Sequence, residues 1–221
     1  MSDQRLPLLH LLHLASPALP VGAYAYSQGL EFAIEEMRLD REGLGAWLRD
    51  GLELGLANLE LPVIRRAFAA LDKHDEVRLD ALNDELLAYR ETEELLLEDQ
   101  QIGNALKRLL DALKVKTPTF RQKPAYAVIY AVAAHYREIN ADDACLGYCY
   151  SWLENQVTAA TKLVPLGQSD AQRLLLKLTR CIPDACDRAK TVPDEALGLS
   201  LPGLSLASAS HEYQHTRLFR S

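Results

Sequence analysis

Valine and isoleucine are scarce in this chain of 221 residues: nine Val and six Ile stand against 42 Leu and 29 Ala. Sheets draw on β-branched residues, whereas Leu and Ala favour helices, so the balance points to an all-α fold. Cysteine is sparse too, and four cysteines are too few for a disulfide framework at this length. No uninterrupted apolar run approaches the ~20 residues that a bilayer crossing needs. The leucine-rich stretch 1–15 is interrupted by Pro7, His10 and His13 and has no basic leader before a small-residue cleavage site. A cytoplasmic protein with no membrane role is the expectation. Excess positive charge is also missing: 24 Lys and Arg against 31 Asp and Glu give −7. That argues against a sequence-independent grip on nucleic acid.

Catalytic signatures are absent as well. There is no P-loop, no G-x-S-x-G and no dinucleotide fingerprint, and the glycines are scattered. Nothing points to a nucleophile set, although the members of one need not be close in sequence. The composition, 48% apolar and 25% charged, is that of an ordinary globular protein. With no repeat, low-complexity tract or linker, residues 1–221 read as a single-domain multi-helix bundle.

What is present is helical periodicity over most of the length. It predicts a short helix over 8–15, closed at Ser16-Pro17 because a residue before proline is pushed out of the α region. Residues 16–26 form an apolar loop with two prolines and a glycine, which must pack on its own core or on a partner. A helix from about Ser27 carries Leu30, Ile34 and Met37 on one face. Another spans 41–59, where Gly51 and Gly55 let a neighbouring helix come close. Pro62 suits the first turn of a helix reaching about Leu71, and amphipathic stretches follow over 77–90 and 94–113. After a loop at 117–124, the stretch 126–136 is apolar nearly all round and reads as a buried central helix. A helix over 142–164 comes next, and Ser169-Asp170 can cap one over 171–181. Pro183, Pro193 and Pro202 break up the remainder, which ends in a polar tail at about 205–221.

Four features bear on chemistry. His211-Glu212-Tyr213-Gln214-His215 matches H-E-x-x-H, which on a helix could hold Zn²⁺ while the glutamate activates bound water, as in a zinc-dependent peptidase. Six residues follow His215, so no downstream helix supplies the third ligand, and a chance match on a polar tail is the plainer explanation. Cys145 and Cys149 sit among Leu146, Tyr148 and Tyr150 and read as core thiols, while Cys181 and Cys186 flank Pro183. Lys162 ends an otherwise apolar helix, where it complements the helix dipole or offers an exposed contact. Between residues 72 and 99, 11 acidic residues face only Lys73, Arg78 and Arg90, a balance of −8. A solvated helix face is the simpler account of that run.

Three stretches resemble the urease accessory protein F family (UreF). The first is Leu14-Ala15-Ser16-Pro17-Ala18-Leu19-Pro20-Val21-Gly22 followed by Tyr26-Ser27-Gln28-Gly29-Leu30-Glu31. The second runs from Trp152-Leu153-Glu154-Asn155-Gln156 through Lys162-Leu163-Val164-Pro165-Leu166-Gly167-Gln168. The third is His211-Glu212, then Gln214, with Arg217-Leu218-Phe219-Arg220-Ser221. Gln100-Gln101-Ile102-Gly103 adds a weaker fourth. Where the family has a second glycine, Phe and Ser, this chain has Ala23, Tyr24 and Ala25, which restricts the loop backbone. His215 likewise lies outside the family pattern.

The resemblance implies an all-helical, non-catalytic homodimer. It implies binding to urease accessory protein H (also called D), recruitment of the nickel-carrying GTPase, urease accessory protein G, to apo-urease, and coupling of GTP hydrolysis to nickel delivery. No stably bound cofactor is implied, and nickel would only be in transit. By the same resemblance, His211, Glu212, Arg217, Phe219 and Arg220 fall to docking the H partner and Lys162 to the surface meeting the GTPase. The tail is then expected to be detached from the fold and to gain order on its partner.

Overall fold

The apolar stretch 126–136 forms the axis of the protein. The computed structural model describes residues 5–221. In chain order its helices are α1 (Arg5–Leu14), α2 (Leu30–Glu35), α3 (Arg41–Asp50), α4 (Glu60–Asp72), α5 (Glu76–Ala88) and α6 (Glu93–Ala112). There follow α7 (Tyr126–Tyr136), α8 (Ala141–Leu163), α9 (Gln168–Leu178), α10 (Ile182–Ala189) and α11 (Pro202–His211). The described residues contain no strand, and the fold is all-α. No helix among them is long and apolar enough to cross a membrane.

Every residue of α7 from Ala127 to Ala134 is buried, and its alanines let α4 and α6 lie close on either side. Around it, buried apolar side chains from α1 to α10 merge into one cluster. The start of α7 is tied down by polar side chains. Asn83 Oδ1 accepts the Ala125 N–H at 2.7 Å, and Asp99 Oδ1 accepts the Tyr126 N–H at 2.5 Å. Asp99 Oδ2 and Glu60 Oε1 in turn take the Arg90 guanidinium, at 2.8 and 2.7 Å. Three buried charges thus join the entries of α4, α6 and α7, each satisfied by a partner, as burial requires.

Three departures from the sequence reading have local causes. The helix expected over 41–59 stops at Asp50 and widens into a π-helical turn, Gly51–Gly55, before a 3₁₀ turn, Leu56–Asn58. The Trp152 ring of α8 lies where a side chain at Gly51 would be, 2.6 Å from an added Cβ. Gly51 therefore does allow close approach, though of an indole and not of a helix backbone. Second, α9 starts at Gln168, so Ser169 and Asp170 lie in its first turn and do not cap it. Asp170 pairs instead with Arg41 and Arg173. Third, α4, α6 and α7 end in left-handed residues that are not glycine: His74, Lys114 and Glu138, with φ of 53°, 59° and 58°. Each is followed by an N–H that returns to the helix, as Ile139 N does to the Ala134 carbonyl at 3.1 Å.

The loop before α2 packs on the protein's own core. Leu19, Val21 and Tyr26 are buried, and Tyr24 stands out into solvent. Only Gly22, Gln28 and Gly29 take positive φ there, so Ala23 occupies a backbone that needs no glycine.

At Gly103 an added methyl would collide with the Pro124 carbonyl oxygen and lie 2.9 Å from the Tyr126 nitrogen. Gly103→Ala should therefore prise α6 from α7 and cost about 3 kcal/mol, read from chemical denaturation midpoints. A midpoint equal to wild type would show that this approach is not tight.

Candidate functional site

Glu31 lies beside Leu30 and one turn before Ile34, on the buried side of α2, and is only 1% exposed. Its donors come from the far end of the chain. Oε1 accepts the Leu218 N–H at 2.7 Å, Oε2 accepts the Phe219 N–H at 3.0 Å, and His211 Nε2 lies 3.1 Å from Oε2. The other ring nitrogen of His211 lies 2.8 Å from Glu94 Oε2. Both ring nitrogens thus lie within hydrogen-bond reach of a carboxylate. Glu94 Oε1 also accepts from Arg217 at 2.7 Å.

One turn along α6, Glu98 completes the seat. It accepts the Ser221 hydroxyl at 2.6 Å and the Gln28 amide at 2.8 Å. The Ser221 carbonyl accepts both the N–H and the hydroxyl of Ser27, at 2.7 and 2.6 Å, and Arg220 N–H donates to the Ala25 carbonyl at 2.9 Å. From α8, Asn155 donates to the Ala23 carbonyl at 3.1 Å and Trp152 to Gln28 at 2.8 Å. Parts of every stretch quoted for the resemblance therefore meet at this seat, the fourth through Gln101 Oε1, which accepts the Tyr26 hydroxyl at 2.7 Å. Gly29 closes it: a Cβ there would lie 2.8 Å from the Ser208 nitrogen of α11.

The tail is thus not detached. Residues 202–211 are helical, and 217–221 are seated on α2 and α6. Lys162 and Phe219, from two different stretches of the resemblance, come together, with the exposed Lys162 ammonium 5.3 Å from the centre of the Phe219 ring. Such an arrangement is a cation–π contact. Glu212, Arg217 and Arg220 also face solvent, whereas His211 and Phe219 are 0% and 5% exposed. Part of the acidic run between residues 72 and 99 is likewise not a solvated face, because Glu94, Glu98 and Asp99 hold the tail and Arg90.

The H-E-x-x-H stretch does not form a helix. α11 ends at His211, Glu212 and His215 are exposed, and His211 has spent both nitrogens on carboxylates. Among the described residues no group of three or more His, Cys, Asp or Glu is placed to hold a metal ion. Cys145, Cys149 and Cys186 are buried free thiols. Burial pushes the Cys145 thiol up to about 12, which makes it an inert core residue.

The sequence reading did not single out Glu31 or Glu98 as site residues. Their signal was a carboxylate in register with buried apolar positions, Glu31 with Ile34 and Glu98 with Ile102.

Comparison with known proteins bears on this site. A family described as UreF matches residues 39–179. The chain is 49% identical to the urease accessory protein UreF of Teredinibacter turnerae over 218 residues, which is 97% of this chain and 98% of that one. It is 48% identical to that of Chromohalobacter salexigens over 98% of this chain and 95% of the relative. For the Marinomonas sp. (strain MWYL1) protein the identity is 44%, over 97% and 94%.

Glu31→Ala leaves two backbone N–H groups and His211 without their acceptor. It should cost about 3 kcal/mol and speed proteolysis of residues 211–221. Cleavage at the wild-type rate would overturn that role. Burial also pushes the Glu98 carboxyl from 4.5 up to about 7, against the hydrogen bonds from Ser221 and Gln28 and the charge of Arg90, with Asp99 adding to the rise. The folded chain holds this proton more tightly than the unfolded one. The stability so gained is complete below the unfolded pKa and is lost as pH rises through about 7. Glu98→Gln should melt above wild type at about pH 8 and close to it at about pH 5; parallel profiles would contradict the assignment.

Proposed function

Because the chain belongs to the UreF family of urease accessory proteins, we propose that it serves urease maturation as a scaffold. The members of this family are named as accessory proteins and not as enzymes. In this reading two copies form a homodimer that binds urease accessory protein H (D). The complex then recruits the GTPase, urease accessory protein G, to apo-urease. GTP hydrolysis on the GTPase is coupled to nickel delivery, and nickel passes through the assembly as cargo, without a resident site in this chain.

The observation that carries the reading is the convergence of Lys162 with the tail. A scaffold needs contact groups held in fixed positions, since rigidity before binding lowers the entropy lost on docking. Arg217 is fixed by Glu94, Phe219 by Glu31 and Lys162 by Phe219. Lys162, Arg217 and Arg220 are exposed basic groups on an acidic protein, suited to an acidic partner surface. Glu212, exposed beside His211, offers a hydrogen-bond acceptor to a partner. A second feature fits an assembly role. Leu8, Leu9 and Leu12 of α1 are each more than half exposed and share one helix face, an apolar patch of the kind that marks interaction surfaces.

Size-exclusion chromatography with light scattering tests this reading. A dimer alone, a larger species with the H protein, and a larger one again with nucleotide-loaded G protein are expected. A chain that ignores both partners would refute it. Within that assay, Arg217→Glu with Arg220→Glu should abolish H binding, and Lys162→Ala should preserve it while weakening recruitment of the GTPase. Unchanged urease activation by Lys162→Ala would remove that residue from the interface.

A further inference from the structure

A partly open cavity of about 310 Å³ lies between the π-helical turn after α3, the start of α4, the middle of α8 and residues 198–204. Its size is that of a small-ligand site. Both tryptophans of the protein, Trp47 and Trp152, line it. Its polar wall carries three carboxylates, Asp50, Glu60 and Glu91, against the single guanidinium of Arg90. The charge of Arg90 is already answered by Glu60 and Asp99, so the wall has no unpaired cationic side chain to offer an anion. Asp50 is exposed and has no cationic partner among the described residues.

Gln156 supplies an independent sign. It lines the cavity, is only 2% exposed, and its amide makes no hydrogen bond to any described residue. Neither amide atom is fully sealed from solvent, so both stay open for a ligand to pair with. Gln28, also in the wall, does not share this state: its amide donates to Glu98 and accepts from Trp152. The wall therefore combines indole surface, an excess of carboxylate and a free amide.

We propose that this cavity binds an amphipathic organic cation, a guanidinium or ammonium group on an apolar stem. The indoles receive the stem, with cation–π attraction available to the head. Asp50 supplies charge, and the Gln156 carbonyl accepts a hydrogen bond. Two sources share that chemistry: a free alkylguanidine or alkylamine, and an arginine or lysine side chain offered by a partner protein. The inference goes beyond the scaffold reading and does not rest on it.

Since both tryptophans line the cavity, tryptophan emission of the full chain reports on it directly. The probes are agmatine, a blocked Gly-Arg-Gly peptide, and the same peptide with citrulline as the neutral isostere. A saturable change with one or both cations at millimolar concentration or below, and none with citrulline, is expected. Tighter binding of the peptide identifies a partner's side chain as the source, and tighter binding of agmatine a free ligand. Gln156→Leu and Asp50→Asn should each weaken binding by roughly tenfold with far-UV circular dichroism unchanged. If Gln156→Leu does not fold, Asp50→Asn at its exposed position carries the test. No saturable change, an equal response to citrulline, or wild-type affinity in the folded variants would overturn the proposal. The titration uses the chain alone, so failure to assemble with accessory proteins would leave its result standing.

Discussion

A carboxylate buried on a two-turn helix organises the far end of the chain. Glu31 cannot keep its charge in an apolar interior without donors, and neither α2 nor the loop before it has them to spare. They arrive from His211, Leu218 and Phe219, across a sequence separation of at least 180 residues. Once those groups are in place, Ser221 falls within reach of Ser27 and Glu98, and Arg217 within reach of Glu94. The edge formed by Lys162 and Phe219 follows from the same seat, because Phe219 is held through its own backbone N–H. An accessory protein gains from this economy: one buried acid positions several surface groups.

A second charged hub, Arg90 with Glu60 and Asp99, holds the entries of α4, α6 and α7 together. The two hubs meet on α6, where Glu98 serves the tail and Asp99 the hub. Gln28 in turn links Trp152 of the cavity wall to Glu98 of the seat. The cavity wall and the seat are therefore joined by hydrogen bonds between α6 and α8, and Lys162 is joined to the seat through the Phe219 ring. Chains of satisfied polar groups in a low-dielectric setting stiffen one another. In the scaffold role proposed above, that stiffness would keep the contacts in register.

Local pattern made much of the helical layout legible. The central helix appears over the stretch 126–136 that its all-round apolarity indicates, and the bounds of α5, α6 and α8 lie within a residue or two of the periodic segments. Where the reading slipped, a tertiary contact was responsible. The wide turn at Gly51 answers an indole from α8, and Asp170 was drawn from capping by Arg41. The left-handed helix ends at His74, Lys114 and Glu138 gave no glycine signal, since the returning N–H bonds hold them in place. The H-E-x-x-H string misled for a related reason: a motif needs its helix, and α11 stops at His211.

The sequence by itself determined the all-α class, the burial of α7 and the apolar character of the 16–26 loop. These depend on periodicity and composition, which are properties of neighbours along the chain. Only the tertiary structure decided that the polar tail is a seated segment, that Glu31, Glu94 and Glu98 face inward, and that Lys162 lies over Phe219. Whether a charged side chain is solvated or buried depends on what reaches it. Here what reaches it comes from the opposite end of the chain, at separations that no local pattern encodes.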